Sequence, residues 1–503
     1  MKKHNTLKVV LITLLTFLVL SWIFTSAYYS NGYVEQGRIQ MGLFDVFSYP
    51  VTAISYFGYI ALYVFAIGMF YGVLNHISAY RVMIDKLAKS FKGKEKIALA
   101  VIMIILAIII SLVLVMGYDK IVAALTTVGS VVVGVMGTTF AYNNTSILAS
   151  ALSLKVTSGM VYKIIILVLG LAILAKRSKE DTKELEAYIP EVVNAKESKT
   201  TKIWPLVLVC DLILVVMILG FIPWSAVFGV TLFDDVTSAV TGFTVPAFVA
   251  LLVLLLIINI VLFVKKKNKH AYIIDAAVAI VTIVILIGRY LVKAKLFKTL
   301  VSALSVDFAI FGKFLGTVKS FGNWSLTDIS LLVILGAIIL AMIYKVKCDD
   351  VFDGMINGIK KSIVPAILVV LVYFGLVIVT YHPFQLPIYK AIFGLTKGFN
   401  VFTSTIVAII ATVFNSDPMY VFNSVVPYLV SLVTNTKVYP VIWVLYQSVS
   451  GLTMLVAPTS IVLLLTLFYL DIPYKKWLKT VWKLTLEILV VLLIVCTIAL
   501  AIV

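Results

Sequence analysis

Charge is scarce in this 503-residue chain: Asp, Glu, Lys and Arg make up 13% and are missing from stretches long enough to cross a bilayer. Histidine is scarce (four residues) and cysteine scarcer (three). A soluble domain needs a polar exterior, which 62% hydrophobic residues and a mean hydropathy of +1.12 do not supply. An outer-membrane barrel is excluded too, because its strands alternate in polarity over about 10 residues and give no long apolar runs. Cys210, Cys348 and Cys496 lie far apart without ligand spacing, so no disulfide framework or metal site is expected of them. His76 and His270 border apolar runs, His382 precedes Pro383, and none has a partner at metal-ligand spacing. No Gly-x-x-x-x-Gly-Lys-Ser/Thr loop occurs, which argues against direct use of ATP. A membrane-embedded lipid-modifying enzyme would need paired carboxylates or histidines placed for a metal or base role in an interfacial loop, and no such constellation is read in the sequence. That enzyme and a non-transporting scaffold are the weaker alternatives, and the chain is not expected to be an enzyme.

Acidic residues are outnumbered 23 to 41 by basic ones, a net charge of +18. The basic residues sit in short clusters between apolar runs: Met1–Lys8, Arg81–Lys96, Lys176–Lys202, Lys265–Lys269, Lys345–Lys361 and Lys475–Lys483. This is the positive-inside pattern of cytoplasmic loops rather than a nucleic-acid surface, so no nucleic-acid partner is expected. The first apolar stretch, from about Leu7, is too long for a signal-peptide core and reads as a retained span.

Candidate spans fall near 7–28, 52–76, 97–117, 158–176, 204–223, 242–264, 271–292, 326–345, 362–381, 440–470 and 484–503. They predict an all-α polytopic membrane protein in a lipid bilayer, with about 11 transmembrane helices. The loops put the N-terminus inside and the C-terminus outside. Aromatic residues at span ends (Tyr28, Tyr29, Trp204, Trp224, Tyr474, Trp477, Trp482) read as interfacial anchors. The mixed-charge stretch 177–203 reads as a cytoplasmic connector between an N-terminal repeat, 1–176, and a C-terminal repeat, 204–503.

Two uncharged runs are polar at their centres. Val438 to Leu470, 33 residues, contains Gln447-Ser448-Val449-Ser450-Gly451-Leu452-Thr453 and then Ala457-Pro458-Thr459-Ser460. A straight helix of that length would measure about 50 Å, against a hydrocarbon core of about 30 Å. Pro458 lacks a backbone donor and disfavours a helical Ala457. Ile121 to Leu154, 34 residues, contains Gly134-Val135-Met136-Gly137-Thr138-Thr139 and then Asn143-Asn144-Thr145-Ser146. A further apolar segment carries Asn415-Ser416-Asp417-Pro418. Interrupted segments in corresponding positions of two halves point to a transporter's binding site, since backbone polarity freed at membrane depth must face protein, water or solute. The competing reading is ordinary spans joined by tight turns. The loop count places both segments on the outer side, whereas an inverted repeat needs opposite sides.

Ala457-Pro458-Thr459-Ser460 followed by Ile472-Pro473-Tyr474-Lys475-Lys476-Trp477 resembles the YfcC-like proteins of the C4-dicarboxylate carrier (DcuC) branch of the ion-transporter superfamily. Gly42-Leu43-Phe44-Asp45-Val46, Phe70-Tyr71-Gly72-Val73-Leu74-Asn75 and Gly117-Tyr118-Asp119 are similar to that family in the same order. The resemblance implies two inverted repeats, each with a re-entrant hairpin and a broken helix. It also implies an elevator-type transport domain moving against a scaffold, a homodimer, coupling to Na⁺ or H⁺, and a bacterial cytoplasmic membrane. Solutes of the wider group are anionic or amino-acid-like. The chain departs from the family at two places. Asn143-Asn144-Thr145 lacks the usual proline, and the tip Asn415-Ser416-Asp417-Pro418-Met419-Tyr420 is not Gly/Ser-rich.

The expectation is therefore an ion-coupled secondary transporter of a small organic anion or amino-acid-type solute, with no cofactor beyond the coupling ion. Its candidate solute or ion ligands are Thr138, Thr139, Asn143, Asn144, Thr145, Ser146, Asn415, Ser416, Asp417, Ser450, Pro458, Thr459 and Ser460; no catalytic or metal residue is assigned. Hydroxyl, amide and carbonyl oxygens suit Na⁺, and a carboxylate suits a half-helix N-terminus. The bland alternative is that these residues cap helices, above all Asp417 ahead of Pro418. Asp211, inside a span, is a lesser candidate, and Glu487 is expected to pair with Lys483 one turn away or to face water.

Overall fold

The computed structural model describes residues 5–30, 33–36, 40–90, 119–138, 152–155, 157–177, 202–222, 224, 244–246, 280, 284, 295, 305–307, 319, 321–396 and 398–502. Its helices are α1 (Asn5–Ile23), α2 (Asp45–Leu74), α3 (Ser78–Ser90), α4 (Lys120–Met136), α5 (Met160–Arg177), α6 (Trp204–Phe221), α7 (Leu326–Ile343) and α8 (Cys348–Tyr381). There follow α9 (Gln385–Phe393), α10 (Val401–Phe414), α11 (Pro418–Ser431), α12 (Tyr439–Thr453), α13 (Ile461–Leu470) and α14 (Tyr474–Ile502). A single 3-10 turn (Thr436–Val438) and two short antiparallel ribbons, β1 (Ala27–Ser30) with β2 (Tyr33–Gln36) and β3 (Thr244–Pro246) with β4 (Ser305–Asp307), complete the described elements. Among the described residues six helices, α1, α2, α6, α7, α8 and α14, are long and apolar enough to cross a membrane. The chain is a multi-pass helical membrane protein.

The expected spans at 158–176, 204–223 and 326–345 agree with α5, α6 and α7 to within a few residues. Helix α8 begins earlier than expected, because Cys348–Lys361 continues the helix instead of forming a loop. Likewise, Lys475–Lys483 is the first part of α14. Basic residues on a helix face do not end a helix, so charge marked where the chain meets water and not where the helix stops. Thr244–Pro246, placed inside a span from sequence, is a strand. The expected span at 97–117, and the rest of those at 242–264 and 271–292 apart from two isolated positions, lie outside the described residues. So does nearly all of the connector.

The chain forms two compact units. One comprises Phe140–Tyr142 and Val215–Ser325 and contains the β3–β4 ribbon. The other comprises Met1–Thr139, Asn143–Leu214 and Leu326–Val503, and holds the candidate site.

Within that larger unit α2 and α8 run antiparallel along their whole length. Phe57 stacks on Tyr373 at 4.2 Å between ring centroids. At one end Tyr49 Oη and His382 Nε2 share a 2.6 Å hydrogen bond, and Asp45 lies 3.8 Å from the imidazole. Toward the other end Gly68 and Gly72 meet Gly354 and Gly358 so closely that a Cβ on Gly72 would overlap the Gly354 carbonyl. A Cβ on Gly358 would likewise overlap the Gly68 carbonyl. Two helices can approach backbone to backbone only where side chains are absent. A second layer of shorter helices, α9 to α13, packs with α1, α4, α5, α14 and the C-terminal half of α8 into one buried apolar core. Outward faces of α1 and α2 are apolar and exposed (Leu11, Leu15, Phe47, Val51, Leu62), as lipid contact requires.

Candidate functional site

The long uncharged run at 438–470 is broken at its second polar patch, around Pro458, and not at its first, 447–453. Helix α12 continues through Gln447–Thr453 and stops only at Met454; α13 starts at Ile461. Pro458 is the reason. A continuing helix would press its ring on the carbonyl four residues back, and Ala457 is driven from the helical conformation. The intervening backbone turns tightly, with Leu455, Val456 and Ala457 donating to carbonyls at Leu452 and Thr453.

Carbonyls freed by the break are taken by side chains from distant positions. Trp477 Nε1 donates to Leu455 O at 2.7 Å, and Tyr474 Oη donates to Val456 O. Trp477 is fully buried. Expected from sequence as an interfacial belt, these two residues instead hold the broken segment together. The tight turn that brings them back is built by Asp471 in the left-handed conformation (φ 53°) at the end of α13, followed by Pro473.

Opposite the break stands the turn between α10 and α11. At 14 residues each, these helices are about 21 Å long, too short to cross the hydrocarbon core, which suits a hairpin that enters and returns. Asn415 is extended, and its Oδ1 accepts from Asp417 N at 2.8 Å. Asp417 caps α11, accepting from Met419 N at 2.8 Å, with Pro418 in the first helical position. The capping role weighed for Asp417 is therefore real.

Hairpin and break are tied directly. Ser416 Oγ donates to Thr459 O at 2.9 Å, while Thr459 Oγ1 reaches the carbonyls of Thr412 (3.1 Å) and Val413 (3.3 Å). Two helix N-termini, at Pro418 and Ile461, are thus fixed side by side. Such ends present unpaired N–H groups and a positive dipole. At this junction two buried polar atoms have no hydrogen-bond partner, Asn415 Nδ2 and Ser460 Oγ, even though Ser460 occupies the N-cap of α13. Buried donors without acceptors are costly and uncommon.

The structure brings Asn415, Ser416, Asp417, Pro458, Thr459 and Ser460 together. Thr138 and Ser450 sit elsewhere. Ser450 Oγ is bonded back to its own helix, at Tyr446 O (2.6 Å) and Gln447 O (3.1 Å). Thr138 lies just past the end of α4, its hydroxyl bonded to Gly134 O at 2.7 Å. Thr139, Asn143, Asn144, Thr145 and Ser146 lie outside the described residues.

The end of α4 meets α12 closely. Gln447 Nε2 donates to Val135 O (3.2 Å) and Thr138 O (2.7 Å), and Ser448 Oγ to Met136 O (3.1 Å). The polar cluster at 447–448, part of the suspected break, is thus a cap for the orphan carbonyls of another helix. Gly451 permits the approach, since a Cβ there would stand 2.9 Å from Met136 Cγ. Asp211 is exposed on α6. Glu487 pairs across to Arg177 of α5 (Nε to Oε2, 3.1 Å), not chiefly with Lys483, because α5 and α14 pack side by side there. A partner from another helix is invisible to an i, i+4 rule.

Comparison with known proteins adds one region. The model of the C4-dicarboxylate anaerobic carrier family, DcuC, matches residues 292–502, less than half of the chain but including the hairpin, the break and the Ile472–Trp477 turn. No curated protein matches the sequence. Among solved structures, the Alcanivorax borkumensis YdaH transporter aligns over 100% of this chain and 98% of its own, at 12% identity and a TM-score of 0.41.

Proposed function

We propose that this protein is a secondary transporter of a small organic anion or amino-acid-type solute, which binds at the junction of the α10–α11 hairpin with the α12–α13 break. One observation carries the reading: Asn415 Nδ2 and Ser460 Oγ are buried without partners beside two helix N-termini. That is a donor-rich setting for a carboxylate. The carrier-family match over the same segment supports it. A coupling Na⁺ would find oxygens in Ser416, Asp417 and Ser460. Coupling to Na⁺ or H⁺, elevator-type alternating access, a homodimer, YfcC-like affiliation and a bacterial cytoplasmic membrane with the N-terminus inside belong to the same proposal. They rest on the sequence resemblance and the distribution of basic residues. Uptake by proteoliposomes of dicarboxylates, monocarboxylates and amino acids, with and without a Na⁺ or pH gradient, tests it. Accumulation of at least one solute against its gradient is expected; none with any would overturn it.

A further inference from the structure

Lys163 lies near the start of α5, only 1% exposed, and its Nζ has no hydrogen-bond partner. Its ammonium stands 3.4 Å from the ring centroid of Trp443, itself fully buried, whose indole N–H is also without a partner. A ring face offers a cation some attraction, but it leaves three N–H donors unused. An unpaired buried ammonium is among the most costly groups a protein can hold.

The pair sits away from the hairpin–break junction. Helices α4 and α5 are antiparallel, with Gly129 against Leu174, Val133 against Gly170 and Gly137 against Leu167. Lys163 is one turn before Leu167 and therefore falls one turn beyond the end of α4. Trp443 is one turn before Gln447, the residue that caps that end. From Trp443 to Met454 is roughly 16 Å along the axis of α12. The pair and the junction are two places.

With Lys163 protonated, everything unpaired at Lys163 and Trp443 is a donor, and the proton brings one positive charge. What is missing is an acceptor carrying one negative charge. We infer that Lys163 and Trp443 form a second anion site, which takes a singly charged carboxylate between the ammonium and the indole N–H. A carboxylate brings about four lone-pair positions, enough for both donors. Packing beside the pair is tight, with Gly159 against Val444, which limits a bound anion to a small one.

The inference is independent of the junction and is tested with a local signal. In the purified full-length protein, fluorescence assigned to Trp443 by difference from Trp443→Phe is followed during titration with acetate, inorganic phosphate and chloride. Acetate should change it, with phosphate and chloride inert. Lys163→Met removes the buried charge at similar volume and should fold; it should weaken the acetate response at least about tenfold. Lys163→Arg, which keeps charge and donors, should stay within about fivefold of wild type. Ser460→Ala should leave the signal in place, so loss of the junction reading would not remove it. An acetate response unchanged in Lys163→Met, no response in wild type, or a response to phosphate alone would overturn the inference. Should Lys163→Met fail to fold, Lys163→Gln serves in its place, with the same outcomes.

Discussion

The α2–α8 seam and the short-helix bundle built from α10 to α13 solve opposite problems with the same alphabet. Along the seam, glycines let two long helices touch through their backbones, and neither helix contributes a buried polar side-chain atom without a partner among the described residues. In the bundle the helices are short, their ends are buried, and Thr405, Asn415, Trp443 and Ser460 each hold such an atom. The seam is optimised for contact. The bundle keeps polar capacity unspent at a cost in stability, as sites that bind something do.

That contrast can be broken most forcefully at the seam. Gly72→Ala places a methyl group against the Gly354 backbone, which has no rotamer to yield. It should cost more than about 3 kcal/mol, read as a lower thermal midpoint or loss of the monodisperse peak on size exclusion. An unchanged midpoint would show the seam to be looser than described. Within the bundle, Trp477→Phe keeps the packing but strands Leu455 O. A loss of about 1–3 kcal/mol is expected, and a neutral result would mean that water replaces the indole.

Smaller again is the Arg177–Glu487 pair, 25% and 42% exposed. Its coupling, from a double-mutant cycle with Arg177→Gln and Glu487→Gln, should be under about 1 kcal/mol and fall with added salt. The smallest stability effect belongs to the site itself. Ser460→Ala removes a buried hydroxyl that has no partner, so stability should stay level or rise by a few tenths of a kcal/mol at most, read as a level or slightly higher melting midpoint. A clear destabilisation would assign Ser460 to the scaffold.

Much of this organisation was legible in the sequence. Uncharged runs found the bilayer, and Pro458 and Asn415–Pro418 marked the two places where helices had to stop, because proline and capping residues act locally. What escaped was non-local. Nothing near Tyr474 or Trp477 announces that their side chains fold back on Val456 and Leu455, eighteen and twenty-two residues away respectively. Gln447 and Ser448 looked like part of a break because polar residues in an apolar run draw the eye. Their partner, the end of α4, lies more than three hundred positions earlier. Lys163 gave no signal at all, since a lysine near the start of a span resembles one that reaches for the interface. Its burial is a property of α12 packing over it.

The central claim is that the hairpin–break junction binds the transported solute. Its most direct measurement is uptake into proteoliposomes of whichever solute wild type accumulates, run beside Ser460→Ala and Asn415→Ala at matched reconstitution. The account predicts at least about a tenfold loss of uptake in both variants, with Ser460→Ala retaining the wild-type melting midpoint. Wild-type uptake by both would contradict it.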